Sequence, residues 1–474
     1  MSLIQSISGI RGTIGGRAGE NLTPPDIVRF AAAYACWLCR RTPGRRPRIV
    51  LGRDARLSGE MVASVLKGTL TGCGVDVLDI GMATTPTTEM AVTYLSADGG
   101  VILTASHNPA QWNALKLLNA SGEFLSAEDG RQLTSIIEQA EYRFVPVEEL
   151  GHVTVVQESM LDMHISRVLD LPLVRTDLIR KAGFTVVVDA VNSVGGEAIP
   201  RLLDQLGVAR TVKINCEPTG RFAHVPEPLP ENLQMLSDAV RQHRADLGIA
   251  VDPDVDRLAL VNNDGTMFGE EYTLVAVADY VLSHTPEGAS RNTVSNLSSS
   301  RALRDVTELH GGTYAASAVG EVNVTTLMKS PEVQAVIGGE GNGGVIYPAL
   351  HYGRDALVGV ALFLSHLAGQ HCSMLELRRK YPSYVISKNK IELPPSADID
   401  RMLAQVKAQY ASERITDTDG VRIDFEARRA WVHLRRSNTE PIVRVYAESE
   451  SAESADRLAQ DVMQTVKRIC ESNG

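Results

Sequence analysis

Along most of the chain, runs of β-branched and aliphatic residues give way to polar or glycine-rich loops. Segments with apolar positions at helical spacing follow, which is how βαβ units of a mostly parallel sheet read in sequence. The rhythm occurs three times. The first stretch holds a strand over Arg48 to Leu51, the loop Gly52-Arg53-Asp54, a helix over Gly59 to Leu70, a strand from Val75 to Ile80, a Thr-Pro loop at 84 to 88 and a strand over Gly100 to Leu103. The second opens with Phe184 to Asp189, passes through Asn192-Ser193-Val194-Gly195-Gly196 into a helix over Ala198 to Leu206, and closes on Leu247 to Val251. The third begins at Arg257 to Val261, turns at Asn263-Asp264-Gly265, carries helices near 270 to 284 and 299 to 310, and finishes on a helix from Asp355 to Leu367.

Beyond residue 378 the apolar period changes to two over Val421 to Phe425, Ala430 to Leu434 and Ile442 to Ala447, with helices near 398 to 410 and 452 to 471. This predicts antiparallel strands in a smaller α+β domain. The chain is therefore expected to be α/β, with three related mixed-sheet domains at 1–155, 156–256 and 257–378 and the α+β domain at 379–474. A length of 474 residues agrees, because single cores stop growing near roughly 250 to 300 residues. No low-complexity or linker-like segment longer than a few residues interrupts the pattern. The domains are expected to pack around a central cleft, where ligand sites tend to lie.

Composition narrows the class. With 44% hydrophobic, 22% charged and 5% aromatic residues the chain reads as an ordinary globular protein. A net charge of −10 argues against a nucleic acid partner, which requires a basic excess. The longest apolar runs, Phe30 to Cys39 and Leu357 to Leu364, fall well short of the ~20 residues a membrane span needs. Met1 to Gly12 lacks a basic segment followed by an apolar one, so no secretory signal and a cytoplasmic location are expected. Six cysteines in a chain this long are no disulfide framework, and Cys36-x-x-Cys39 sits in a helix-like run without a second pair to complete a zinc site. No heptad or exposed apolar stripe indicates an oligomeric state.

Four loops carry the chemistry. Thr104-Ala105-Ser106-His107-Asn108-Pro109 follows the apolar run Val101, Ile102, Leu103, so Ser106 is presented where a buried strand breaks, as a candidate covalent phosphate carrier. His107 and Lys116 lie close enough in sequence to act as proton acceptor or positive charge. Asp252-Pro253-Asp254-Val255-Asp256-Arg257 leaves an apolar strand with three alternating carboxylates, an oxygen-only set that suits Mg²⁺. Phosphorylated Ser106 would complete the coordination, and Arg257 would reach the transferring group bidentately. Gly338 to Gly344 places Glu340 and Asn342 in a compliant backbone suited to vicinal sugar hydroxyls; lacking Lys followed by Ser or Thr, it is no P-loop. Arg436-Ser437-Asn438-Thr439-Glu440-Pro441 with Arg444 joins two strands by a loop able to hold a non-reacting phosphate.

Together, in this order, the four loops resemble those of the α-D-phosphohexomutase family, and the likeness covers the whole chain. Gly9-Ile10-Arg11-Gly12 is similar to the family's N-terminal arginine motif, and Val319-Gly320-Glu321 to a segment before its sugar loop. The resemblance implies a phosphoserine at Ser106, Mg²⁺ on Asp252, Asp254 and Asp256, and sugar contacts from Glu340, with Asn342 where serine is usual. It also implies that Arg11, Lys116 and Arg257 line the reacting phosphate, while Arg436, Ser437, Asn438, Thr439 and Arg444 grip the other. The reaction implied is reversible transfer between O6 and O1 of a hexose phosphate through a 1,6-bisphosphate that turns over in the cleft and also serves as activator. Gly344 departs from the histidine of many bacterial members, which leaves Lys116, ranked first, His107 and His351 as candidate bases. Glucosamine phosphate is the expected substrate, with glucose or mannose phosphate as alternatives. Two rival readings are a Mg²⁺-dependent phosphatase with Asp252 as nucleophile and a non-catalytic sugar-phosphate-binding protein.

Overall fold

The computed structural model describes residues 2–6, 9–392, 398–436 and 442–472. The chain forms two compact units, one of residues 1–273 with 342–375 and one of residues 274–341 with 376–474.

The first unit contains two sheets. The larger has seven strands, in the order Ile4–Ser6, Gly9–Thr13, Trp112–Leu118, Gly99–Leu103, Arg48–Arg53, Asp76–Met82, Val153–Val155. The last four run parallel, and Trp112–Leu118 turns the sheet antiparallel towards the N-terminal hairpin. The segment 84 to 88, expected as a loop, is instead the start of the helix Thr85–Tyr94. Thr84 caps it by accepting the Thr87 N–H, and Pro86 sits in the first turn, where its missing N–H costs nothing. The second sheet has the order Leu258–Val261, Leu247–Val251, Thr185–Asp189, Arg210–Ile214. Leu258–Val261 pairs antiparallel with Leu247–Val251, so the expected border at 256 falls inside a hairpin whose turn is the aspartate loop.

The helix Ala356–Gln370 packs on the strands Gly344–Ile346 and Leu258–Val261 and on the helices Met160–Leu169, Thr176–Ala182 and Gly195–Leu206. Every residue from Ala356 to Ala368 is buried, as a helix apolar on all faces requires.

In the second unit, Thr293–Asn296 runs parallel between Tyr314–Ser317 and Ile337–Glu340. A five-stranded antiparallel sheet follows, in the order Val385–Glu392, Ile442–Ser449, Ala430–Arg436, Val421–Phe425, Arg414–Thr416. The helices Ile399–Gln409 and Ala452–Ser472 cover one face around a core that includes Ile423, Val432, Val445 and Val462. The two edge strands escaped the sequence pattern because they are mostly polar and solvated, which protects a sheet edge. Among the described residues no helix is long and apolar enough to cross a membrane.

Candidate active site

The serine loop is built before its serine can react. Gly99–Leu103 is buried throughout, and beyond it Ser106 adopts a left-handed φ of 49°, which a residue other than glycine holds only when its surroundings over-determine it. Those surroundings are Arg56 and Asp54, both with fully buried side chains and joined Nε to Oδ2 at 3.0 Å. Arg56 also donates to the carbonyls of Asn108 (2.7 Å), Pro109 (2.8 Å), Trp112 (2.9 Å) and Ser106. Asp54 Oδ2 takes the Thr104 hydroxyl at 2.6 Å, and Thr104 Oγ1 in turn accepts the Ser106 N–H at 2.9 Å. One guanidinium thus ties the backbone of the whole loop, and the Ser106 side chain is left to point at Asp252 Oδ2, 2.7 Å away.

The aspartate loop is equally constrained. Val255 has φ of 65°, an outlier for a β-branched residue, and the kink turns Asp252, Asp254 and Asp256 inward, all fully buried. Asp252 Oδ1 accepts the N–H groups of Asp256 (3.2 Å) and Arg257 (3.1 Å). Asp254 Oδ2 accepts from Thr85 Oγ1 at 2.6 Å and from Lys116 Nζ at 2.7 Å. Asp256 Oδ2 accepts from Arg354 Nη2 at 2.7 Å, with Lys116 Nζ 3.6 Å away. One oxygen from each carboxylate lies within 4.8 Å of the others. Asp254 Oδ1 and Asp256 Oδ1 are buried and accept no hydrogen bond, a cost of about 1–3 kcal/mol each that a bound cation removes. Three carboxylates without nitrogen or sulfur form the donor set of a hard divalent ion, so the residues fit one.

Charge in this cluster is divided unevenly. Burial and the neighbouring Asp256 and Asp254 push the Asp252 carboxyl well above its ordinary range. Burial acts on Asp254 in the same sense, but Lys116 and Thr85 outweigh it and hold Asp254 below. Burial disfavours the Lys116 cation, yet the two carboxylates win and raise its pKa, so Lys116 suits charge stabilisation better than proton acceptance. His107, with Nδ1 3.3 Å from Ser106 Oγ, is pushed down to about 2 by burial and by Arg257, and is neutral. The Arg257 guanidinium lies 3.5 Å from Glu227, and its buried Nε donates to nothing. Arg11 is exposed and faces Ala114 across the strand pair; Lys116 faces Gly9, so by the two-residue period Arg11 and Lys116 share one sheet face.

Of the remaining expected residues, Asn342 lies in the first unit, where its Oδ1 accepts the Gly344 N–H at 3.2 Å. Glu340 lies in the second, fixed through Oε1 by Asn296 Nδ2 (2.8 Å) and Gly320 N–H (3.1 Å). Ser437, Asn438 and Thr439 fall outside the described residues. Arg436 ends a strand and is exposed, opposite Val443. The register places Arg444 between Arg435 and Lys390 instead, a row of three cations across adjacent strands. Arg435 is paired with Asp419 at 2.8 Å and Lys390 with Glu392 at 3.4 Å, which offsets part of the repulsion among them.

The sequence reading missed Arg56, Asp54, Thr85, Arg354 and Lys390. Asp54 and Arg56 follow the strand Arg48–Arg53 directly, but nothing in the sequence marks them as a buried pair, since both residue types read as solvated in a loop. Thr85, Arg354 and Lys390 reach their places only through contacts distant in sequence.

Comparison with known proteins agrees along the length of the chain. Four phosphoglucomutase/phosphomannomutase family models match: α/β/α domain I at residues 3–144, domain II at 162–265, domain III at 269–384 and the C-terminal domain at 390–465. The chain is 33% identical over 449 residues to a phosphoglucomutase/phosphomannomutase of Thermococcus kodakarensis, covering 94% of this chain and 95% of the relative. It is 33% identical over 466 residues to a probable phosphoglucosamine mutase of Methanopyrus kandleri, covering 98% of each. Among solved structures, a phosphoglucomutase/phosphomannomutase family protein from Burkholderia thailandensis superposes with a TM-score of 0.82 at 26% identity, covering 98% of each chain.

Proposed function

Given that this chain belongs to the phosphoglucomutase/phosphomannomutase family and is accordingly a phosphohexose mutase, an isomerase, we propose that it interconverts glucosamine 6-phosphate and glucosamine 1-phosphate with Ser106 as phosphate carrier. The observation that carries the reading is the 2.7 Å hydrogen bond from Ser106 to Asp252, which joins the serine loop to the carboxylate loop across 146 residues of sequence.

In the first half-reaction O1 of the 6-phosphate attacks the phosphorus on Ser106. The O1–P bond forms, the bond from phosphorus to Ser106 Oγ breaks, the O1 proton passes to a nearby base, the leaving Ser106 Oγ takes up a proton, and the product is the 1,6-bisphosphate. After the sugar turns over, Ser106 Oγ gives up its proton to a nearby base and attacks the phosphorus on O6, the O6–P bond breaks and O6 takes a proton. Glucosamine 1-phosphate leaves and the phosphoserine is restored. Hexose 1,6-bisphosphate therefore charges an unphosphorylated chain and acts as activator.

The chain's own residues supply positioning and charge, which is most of what phosphoryl transfer asks of a protein. Arg56 and Asp54 fix the serine loop. Asp252 orients Ser106 Oγ. Lys116 and Arg257 face the negative charge of the phosphoryl oxygens, and Arg11 adds to them from the adjoining strand. Neutral His107 lies beside Ser106 Oγ, in reach of the proton that leaves and returns there. Asp252, Asp254 and Asp256, together with a phosphate oxygen on Ser106, would hold Mg²⁺, which neutralises phosphoryl charge when bound. Glu340 and Asn342 serve the sugar hydroxyls; Arg436 and Arg444, with Ser437, Asn438 and Thr439, serve the phosphate that does not react.

Substrate choice is tested by ³¹P NMR of product formation from glucosamine, glucose and mannose 6-phosphates with Mg²⁺ and the matching 1,6-bisphosphate. The proposal expects the highest kcat/KM for the glucosamine compound. A higher value for glucose or mannose phosphate would refute the substrate while leaving the mutase intact.

A further inference from the structure

We infer that Arg354 is a positioning residue of the phosphoryl-transfer site, and that Gly344 is the position that admits it. This rests on the phosphoryl-transfer reading and adds to it two residues with no role assigned there.

Arg354 is presented by a backbone clamped on both sides. After it, Asp355 places Oδ2 at 2.9 Å from His164 Nε2 and 3.3 Å from His351 Nε2, while Oδ1 caps the following helix through the Leu357 N–H at 2.8 Å. His164 Nδ1 lies 2.9 Å from Thr87 Oγ1, in the helix whose first residue, Thr85, bonds to Asp254. Before it, Gly353 is pressed so closely on Glu89 that an added Cβ would lie 1.9 Å from the carboxylate Oε2. The network of buried His164 and Asp355 with half-buried His351 thus holds the Arg354 backbone against the helix that also braces the aspartate loop.

From that anchor the Arg354 stem crosses Gly344. A Cβ on Gly344 would sit 2.4 Å from Arg354 Cδ and 3.0 Å from Cγ. Gly344 is not in the left-handed region, so its glycine answers a need for space and not for backbone freedom. The guanidinium then ends 2.7 Å from Asp256 Oδ2, the oxygen that Lys116 Nζ approaches to 3.6 Å. Burying an arginine among other cations is unfavourable unless negative charge collects there. The carboxylates supply part of that charge, and the transferring phosphoryl group supplies the rest.

The experiment uses the full-length enzyme as wild type, Arg354→Ala, Arg354→Lys, Gly344→Ala and the double variant. Turnover, the rate at which 1,6-bisphosphate charges Ser106 by intact mass, and Mn²⁺ affinity by EPR without sugar are read. Thermal midpoints confirm folding. Arg354→Ala should lose about 100-fold in kcat with KM within about threefold. Guanidinium at non-denaturing concentration should restore part of the loss, which a merely structural role would not allow. Mn²⁺ should bind tighter once the guanidinium no longer competes for Asp256. Gly344→Ala should reproduce the loss, since its methyl displaces a flexible side chain, and should add nothing on top of Arg354→Ala. An Arg354→Ala enzyme that charges Ser106 and turns over within about threefold of wild type overturns the inference, as do losses at 344 and 354 that simply multiply. If wild-type Ser106 takes no phosphate, the phosphoryl-transfer reading itself fails, a result distinct from a wild type and variant that charge equally fast.

Discussion

The serine and aspartate loops of the first unit and the arginine strands of the second place their charged groups in opposite ways. Around Ser106 the charges are buried and mutually bonded: Arg56 with Asp54, Lys116 with Asp254, Arg354 with Asp256. The left-handed backbones at Ser106 and Val255 are held by those bonds. In the C-terminal sheet Arg436, the last residue of its strand, and Arg444, the third of the paired strand, are exposed. Reaction demands geometry fixed before the substrate arrives, so the desolvation of the charges is met by folding. On the proposed reading the exposed arginines hold a phosphate that does not react, which demands only reach and charge, and solvated side chains supply these at little cost to stability.

That contrast predicts a graded set of losses. Ser106→Ala removes the carrier and should lower turnover by at least about 10⁴-fold in a coupled assay, with the melting temperature little changed. Retained turnover would erase the distinction between the two regions. Arg56→Met leaves Asp54 buried without its partner and four carbonyls without their donor. It should cost about 3–5 kcal/mol in denaturant unfolding, whereas a cost below about 1 kcal/mol would show that the serine loop holds itself.

The second unit offers a pH test away from either loop. Burial pushes the Glu448 carboxyl up to about 7, although Ser300, Arg301 and Trp431 bond to it. Its ordinary value is 4.5. The folded state therefore holds the proton more tightly, and the contribution is complete below pH 4.5, declines as pH rises to 7 and is gone above. Its size is about 3 kcal/mol. Glu448→Gln should remove that decline, so unfolding curves at pH 5 and pH 8 should differ less in the variant than in the wild type by about this amount; an unchanged difference would place the titration elsewhere. The smallest effect is expected at Arg444→Ala, with KM for the hexose phosphate up about tenfold and kcat nearly constant. A fall in kcat without a rise in KM would mean that the exposed strands also shape the reaction.

The same division governs what the sequence revealed. Ser106 and the three aspartates stand out in the sequence because their loops follow strands that read as buried; Glu340, in a glycine-rich run that resembles a plain turn, is a weak signal on its own and ends the strand Ile337–Glu340. The helices Gly59–Gly72 and Ala452–Ser472 were legible from their periodicity. Trp112–Leu118 was not, since Asn113 and Lys116 interrupt its apolar pattern, Lys116 for its bond to Asp254 and Asn113 for its bond to Ser58. The aspartate hairpin was cut at 256 because the acidic turn looks like an end, when in fact Leu258–Val261 returns along the strand before it. Arg56 and Arg354 were silent because an arginine in a loop reads as solvated until the carbonyls and carboxylates around it are known.

The central claim is that Ser106 carries phosphate between two positions of one hexose. Intact mass and peptide mapping after incubation with Mg²⁺ and glucosamine 1,6-bisphosphate test it directly. The account predicts a gain of about 80 Da on the Ser106 peptide, lost when a hexose monophosphate is added in excess and absent in Ser106→Ala. A chain that turns over hexose phosphate while Ser106 stays unmodified would contradict it.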